Sequence, residues 1–504
     1  MINVYENTFE NPVVKRTYTK SDIFISIISF ILGYLFIKWI LFSTLSLSAF
    51  VFTILLIGTA IWYLAAKKIR LTLNSIIFIS ITLIFSSVFV ISANTDIKAF
   101  VMLYVILSSV YWFYYTCNKH DENILNDMFV FYFIKSVFIM PLSCCFFIYE
   151  SFFKVFTRKK PSKKAGYVVL GILCAIIPSM IILFLLMNAD DAFAGLITNI
   201  TNIKIFDFGD IGIDIFYFLI GIPIAMYVFG TLYSNSQRIH KNILSREVNE
   251  KIIHKLKFTP ELIVYTAVTP ICLIYVLFFV SQSAYFMSAF SSVIPTDFTY
   301  AEYARRGFFE LCMVSVINSC IIAAVTTITK QSPSKKINIL KIYIVTIAVF
   351  TLMLIATALS KMVMYINAYG LTLLRVYTSW FMILLACIFI VVIIRQFVNP
   401  KKMNFFMIVF VIFAVLFAAL IFCDIDAIIA QYNIENHLNG NLESLDYEML
   451  IYELSDSAVE YIVPVVYQYP GYEKLLLERY DKITDWKDYN FARYNALRAL
   501  ELLK

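Results

Sequence analysis

The sequence predicts an all-α, polytopic α-helical membrane bundle of about 11 spans, plus one in-plane or re-entrant segment and a small helical C-terminal extracytoplasmic tail. Three observations lead there. Long apolar runs recur from residue 23 to residue 423. Hydrophobic residues are 61% and charged residues 15% of the 504 positions, against roughly 45–50% and about 25% in a soluble domain. The loops between the runs carry most of the Lys and Arg, the pattern that orients membrane proteins.

Residues 1–22 read as a cytoplasmic N-terminal segment. They are polar, with no short apolar core and cleavage site, so the first membrane helix is expected to act as its own signal. Residues 23–127 hold the first four transmembrane helices, at 23–42, 49–66, 73–93 and 98–116. Residues 128–165 hold the in-plane or re-entrant segment and a basic cytoplasmic loop. Residues 166–423 form a seven-helix transmembrane region, with spans at 166–187, 212–233, 261–282, 307–329, 338–359, 376–395 and 403–423. Each run approaches the ~20 apolar residues that cross ~30 Å of hydrocarbon, and a helix satisfies its own backbone there. Pro178, Pro223 and Pro270 lie inside spans and are expected to kink them.

The apolar stretch 128–156 is a poor span, because it contains Lys135, Pro141, Glu150 and Lys154. Basic residues mark cytoplasmic loops. They cluster before span one (Lys15, Arg16, Lys20), after span two (Lys67, Lys68, Arg70), before span five (Arg158 to Lys164) and after span six (Arg238 to Lys257). Lys330, Lys335 and Lys336 follow span eight, and Arg395, Lys401 and Lys402 follow span ten. This alternation survives only if 128–156 does not cross. A true twelfth span, with a broken charge rule, is the alternative. The N-terminus is then cytoplasmic and the tail, 424–504, outside.

The tail is acidic and carries Leu, Tyr and Glu at helical spacing, with Pro464 and Pro470-Gly471 as breaks. Three or four short amphipathic helices are expected, packed on one another or on the membrane surface. The nine Cys lie mostly in apolar runs and the four His are scattered. Neither a disulfide framework nor a metal site is predicted. Abundant Ile, Asn, Lys, Phe and Tyr, with few Gly and Pro, point to an AT-rich bacterial genome.

Two outer-edge motifs break the charge rule. In YAEYARRGFFEL (300–311), Arg305 and Arg306 sit near a helix N-terminus, where the dipole disfavours cations. Glu302, Arg306 and Glu310 fall at i, i+4 and i+8, so one face can carry an acid–base–acid ladder. Arg305, outside that ladder, could meet a phosphate or carboxylate, which its planar fork suits. In MYINAYGLTLLRVYTSW (364–380), read as entering span ten from outside, Tyr365 and Tyr369 share a face and Gly370 breaks the run. Arg375 either snorkels to headgroups beside an aromatic belt of Tyr377 and Trp380, or faces the bundle as a site. Asp424 and Asp426 close span eleven on the same side. They pair with Arg305 or Arg375, or mark the membrane exit. Asp190 and Asp191 read as solvated and Lys361 as interfacial.

GxxxxGK[ST], GxSxG, HExxH and HRD motifs are absent from the sequence, and no cofactor is predicted. The basic loops 158–164 and 234–258 fit anionic lipid headgroups better than nucleic acid. The segments YARRGFFEL, YGLTLLRVYTSW, DIDAIIAQYNI, LDYEMLIYELSDSAV and DWKDYNFARYNALRAL together resemble bacterial membrane proteins of the related domain-of-unknown-function families 4153 and 4173, over roughly 200–504. The resemblance implies a polytopic membrane protein with an acidic helical terminus. It carries over no reaction and no catalytic residue.

Three functions compete. A transporter or permease would use Arg305, Arg306, Arg375, Glu302, Glu310, Tyr369, Asp424 and Asp426 as an outer-face anion or lipid-headgroup site. Against it, no inverted repeat is evident. A non-catalytic envelope sensor or accessory subunit would use its acidic outer tail to bind an envelope protein. A membrane-embedded lipid or glycan enzyme would need Glu302, Glu310 or Asp424 as its acid or base. The sequence favours the transporter.

Overall fold

The computed structural model describes residues 18–118, 124–153, 209–238, 246–291, 308–330, 339–398, 403–466, 471–479 and 485–501, with isolated positions between 171 and 195. It is an all-α polytopic bundle. Ten helices among the described residues are long and apolar enough to cross a membrane. In chain order the first part comprises α1 (Lys20–Leu41), α2 (Leu47–Ala66), α3 (Leu73–Ile91), α4 (Thr95–Asn118), the short α5 (Phe129–Cys144) and α6 (Phe147–Phe153). Then follow α7 (Gly209–Ser236), amphipathic α8 (Arg246–Leu256), α9 (Glu261–Ser291), α10 (Phe308–Ile328), α11 (Ile339–Tyr369), α12 (Leu373–Phe397) and α13 (Phe405–Phe422). The tail holds α14 (Ile425–Leu438), α15 (Val459–Val466), α16 (Tyr472–Arg479) and α17 (Phe491–Leu500). The expected span 166–187 and the basic cluster 158–164 lie outside the described residues, apart from single positions within that span.

The bundle has two chemically distinct ends. At the first, Asp22 of α1 is fully buried, accepts a hydrogen bond from Tyr63 at 2.6 Å and pairs with Lys67 at 2.6 Å. Ser236 of α7 donates to Tyr63, and Arg238 donates to the Cys117 carbonyl of α4. Asn404, which caps α13, donates to the Leu125 carbonyl at the same end. At the opposite end, Lys38 of α1 pairs with Asp214 of α7 at 2.8 Å, and Asn94 before α4 reaches Asp426 after α13. We refer to these as the Asp22 end and the Asn94 end.

Helix contacts inside lipid gain little from apolar transfer, so close backbone approach and interhelical hydrogen bonds carry them. Gly33 of α1 and Gly221 of α7 meet backbone to backbone, leaving no room for a Cβ on either. Gly230 of α7 lies in the same way against the Pro141 carbonyl of α5. In the other half of the molecule, Tyr275 of α9 donates to Asn318 of α10 at 2.5 Å, and Asn318 donates to Thr351 of α11 at 2.9 Å. Helices α9 to α12 share one apolar core. Helices α1 to α7, α13 and the tail are built around two others. The molecule is therefore two sub-bundles with a seam between them.

The stretch 128–156 forms α5 and α6 over its described part. Its start adjoins Leu125 and Asn404, and the Phe129 ring meets that of Phe406 at a tilt. Its end returns to the same place. Glu150 accepts from Tyr18 at 2.9 Å, and Ser151 donates to the Asp22 carbonyl at 2.9 Å. Both termini thus lie at the Asp22 end. Between them Val137 accepts from Tyr227 of α7, and Lys135 donates to Asn249 of α8 at 2.5 Å.

One expectation needs correction. Helix α11 runs to Tyr369 rather than 359, so Tyr365 and Tyr369 end that helix instead of opening the next span. The dip in hydropathy at Ser360-Lys361 does not break a helix whose Met362 and Met364 stay buried; Gly370, at φ +76°, does. Pro223 and Pro270 sit inside continuous helices, and Pro178 lies outside the described residues.

The tail folds as a helical cap on the Asn94 end. Leu450, Ile451, Leu454, Val459, Ile462 and Val466 are buried in one core with Val88, Phe89 and Val101 of the bundle. Burying each such side chain from water contributes about 1.5–3 kcal/mol. Polar contacts fix the register. Leu47 N donates to the Tyr489 carbonyl at 3.1 Å, and Thr44 donates to Asp488 at 2.8 Å.

Candidate functional site

Arg375 is held from both sides. Thr372 caps α12 by accepting from the Arg375 backbone N–H at 3.4 Å. The guanidinium turns back onto the end of α11. Its Nη1 donates to the Tyr369 carbonyl at 2.9 Å and to the Gly370 carbonyl, and the group sits 4.1 Å from the Tyr365 ring centroid. A cation there satisfies terminal carbonyls and opposes the negative end of the helix dipole, while the ring adds a cation–π contact. Tyr365 also meets Tyr369 edge to face. Arg375 therefore neither snorkels alone nor pairs with a carboxylate among the described contacts.

The turn it grips is pinned by the cap. Asn433 of α14 accepts from Leu371 N at 2.7 Å and donates to the Leu371 carbonyl at 2.8 Å. A Cβ on Gly370 would collide with the Asn433 amide.

Arg375 lines a cavity of about 150 Å³ with Phe308, Phe309, Met362, Tyr365 and Thr372. The start of α10 and the turn from α11 to α12 thus converge, which brings the described end of the first motif, Phe308 and Phe309, against the second. Glu310, in the first turn of α10, is exposed and lies within electrostatic reach of Lys361 on α11. Glu302, Arg305 and Arg306 lie outside the described residues.

Asp424 and Asp426 have a different place. Asp424 takes a left-handed backbone, φ +44°, where the chain turns from α13 into the cap. Asp426 is buried, accepting from Asn94 Nδ2 at 2.7 Å and Ser455 N at 2.9 Å. Burial pushes its carboxyl above the usual range, opposed by the hydrogen bonds from Asn94 and Ser455. Asn94 Oδ1 caps α4 through Ile97 N at 2.9 Å and accepts from Tyr377 of α12 at 3.2 Å. This chain joins α4, α12 and the cap.

Sequence reasoning passed over Asn94, Asn433, Lys38 and Lys98. Asn94 carried a readable signal, as a cap residue before Thr95-Asp96. Lys38 and Lys98 are further cations at the Asn94 end. Lys38 is neutralised by Asp214, and Lys98 is buried with its ammonium on the Thr44 carbonyl and Ser46 Oγ at 3.3 and 3.1 Å. Among the described residues, no group of three or more His, Cys, Asp or Glu could hold a metal.

Between the sub-bundles lies a second, larger cavity of about 680 Å³. Tyr104, Tyr111, Trp380, Phe413 and Phe417 line it, and it shares Phe309 and Thr378 with the Arg375 cavity.

Ten apolar spans, two sub-bundles and a cavity at their seam define a polytopic integral membrane protein. The family described as Domain of unknown function (DUF4153) matches residues 76–465, and the chain belongs to that family. No curated protein and no solved structure matches the chain.

Proposed function

We propose that this protein is a transporter or permease whose Asn94 end takes an anion or lipid headgroup at Arg375. One observation carries the reading. A cation fixed by two carbonyls and an aromatic ring lines a cavity that adjoins the seam between two sub-bundles. Sites at such seams suit alternating access, and a preorganised Arg suits phosphate or carboxylate. Tyr369 and Glu310 flank this site; Arg305, Arg306 and Glu302 precede it in the same motif. Asp424 and Asp426 act beside it as the hinge to the cap.

Lys67, Arg238, Lys330, Lys341 and Arg395 belong to the Asp22 end. By the positive-inside rule that end faces the cytoplasm, with anionic headgroups at its basic loops. The cap is then extracytoplasmic, in a bacterial cell membrane, as the resemblance to bacterial families including 4173 implies. The paired return of α5 and α6 to that end supports a re-entrant segment over 128–156.

The test is transbilayer movement of fluorescent phosphatidylglycerol in proteoliposomes, read by dithionite quenching. Wild type should accelerate it and Arg375→Gln should not. Equal rates in wild-type and protein-free vesicles would remove the lipid-moving form of the reading; uptake of inorganic phosphate tests the soluble-anion form.

The cap favours a second reading, an envelope sensor or accessory subunit. Tyr452, Trp486, Phe491 and Tyr494 are exposed on it, and aromatics of this kind are enriched at protein interfaces. Loss of an envelope phenotype in Tyr452→Ser and Tyr494→Ser, with transport intact, would select this reading.

A further inference from the structure

We propose that the seam cavity is an acyl-chain site, so that the ligand of this protein is an anionic amphiphile lying with its chain between α4 and α12 and its headgroup at Arg375. The headgroup half rests on the function proposed above; the chain half stands on the cavity itself.

The lining is the first argument. Its wall is Phe, Tyr, Trp and Leu from α3, α4, α5, α10, α12 and α13, with Ser108, Cys312 and Thr378 as small interruptions. Ser108 is already engaged, accepting from Thr82 and donating to the Val105 carbonyl. Trp380 likewise donates its indole N–H to the Leu416 carbonyl at 2.8 Å. Tyr111, Tyr377 and Thr378 spend their hydroxyls on the Ile124 carbonyl, Asn94 and the Leu374 carbonyl, and only the buried Tyr104 hydroxyl lacks a partner among the described residues, so the wall offers a ligand mainly apolar contact. Water is a poor occupant of such a space, because it needs polar partners.

Shape is the second. About 680 Å³ falls in the range of small-molecule pockets, roughly 300–1,000 Å³. Along α4 the lining runs from Phe100 to Tyr111, about 16 Å at 1.5 Å per residue. That is about half of the ~30 Å hydrocarbon thickness, the depth of one leaflet. The cavity is not sealed from the bilayer. Phe100, Leu103, Phe309 and Phe381 line it and are exposed, which suits a chain entering sideways from lipid.

Charge is the third. Phe309 and Thr378 belong to both cavities, so the apolar space adjoins the one lined by Arg375. An apolar slot with a fixed cation in the adjoining cavity matches an amphiphile with a negative head. A free phosphate would use only the smaller cavity, and a neutral lipid only the larger.

Trp380 supplies the test. The full-length protein is purified in detergent micelles and titrated with phosphatidylglycerol brominated on its acyl chain, then with phosphatidylcholine carrying the same chain. Bromine quenches indole fluorescence at contact, and Trp380→Phe identifies the Trp380 contribution. The Trp380 signal should be quenched saturably, with half-saturation about fivefold or more lower for the anionic lipid, as one cation–headgroup contact supplies. Cys312→Phe and Leu107→Phe, two independent ways to fill the slot, should each abolish saturation while unfolding near the wild-type temperature. Arg375→Gln should keep saturable quenching and lose the preference for phosphatidylglycerol. Quenching linear in lipid fraction and unchanged in both filled variants would overturn the chain site, because it reports bulk lipid only. Saturable quenching with a preference that survives Arg375→Gln would keep the chain site and overturn the headgroup site.

Discussion

Asn94 donates to Asp426 at 2.7 Å across 332 positions of sequence, tying the mouth of α4 to the first helix of the cap. Both groups are buried, and each has other partners. Asn94 Oδ1 serves Ile97 N and Tyr377, and Asp426 accepts from Ser455 N. Removing Asn94 as Asn94→Ala leaves a buried carboxyl short of a donor, which costs about 1–3 kcal/mol. The expected result is faster amide hydrogen exchange across 446–466, the segment Asp426 anchors, with α9 to α11 unchanged. Equal exchange in wild type and variant would show that the bond does not hold the cap.

The same carboxyl makes cap docking depend on pH. Burial raises the Asp426 pKa in the folded state, and its neighbours include another acid, Asp424. A raised acid binds its proton more tightly folded than unfolded. Stability from this group therefore falls as pH rises from the ordinary aspartate range through the raised value, and recovers on acidification. Protection of 446–466 should be greater at pH 5 than at pH 8, and Asp426→Asn should flatten that difference. A steeper loss of protection at low pH in wild type would contradict the assignment.

The fold was legible where one property decides it. Apolar length placed ten of the eleven expected spans, and the eleventh falls outside the described residues. Charge along the loops predicts a 128–156 that does not cross, and both ends of its described part adjoin the Asp22 end. The site was legible only in part. Arg375 was visible as an anomaly, but its grip on the Tyr369 and Gly370 carbonyls was not, since hydropathy says nothing of where a helix stops. Asn433 and Asp426 owe their roles to partners far away in sequence. The seam cavity depends on which helices pair, and one span's composition does not encode its neighbour.

Gly370 should be the least replaceable residue of the turn. Its φ of +76° suits glycine, and an added Cβ would strike Asn433. Gly370→Ala should destabilise the protein by about 1–3 kcal/mol, from backbone strain and the displaced amide. Asn433→Ala alone should also destabilise, through the two lost bonds to Leu371. The double variant should cost less than the sum, because removing the amide relieves the collision. Thermal unfolding of the four proteins in one detergent checks this, and strict additivity would mean that the two residues do not meet.

Two glycines in long apolar helices should behave oppositely. Gly221 of α7 lies against the Gly33 backbone of α1, so a Cβ there must separate the helices. Gly221→Ala should lower stability by about 1–3 kcal/mol, the usual cost of overpacking. Gly58 of α2 has nothing near its would-be Cβ. Gly58→Ala should raise stability by about 0.5–1 kcal/mol, because alanine loses less backbone freedom in a helix. Unfolding midpoints compared in the same micelles give both signs at once. A midpoint for Gly221→Ala at or above that of Gly58→Ala would mean that the close crossing of α1 and α7 does not hold the first sub-bundle together.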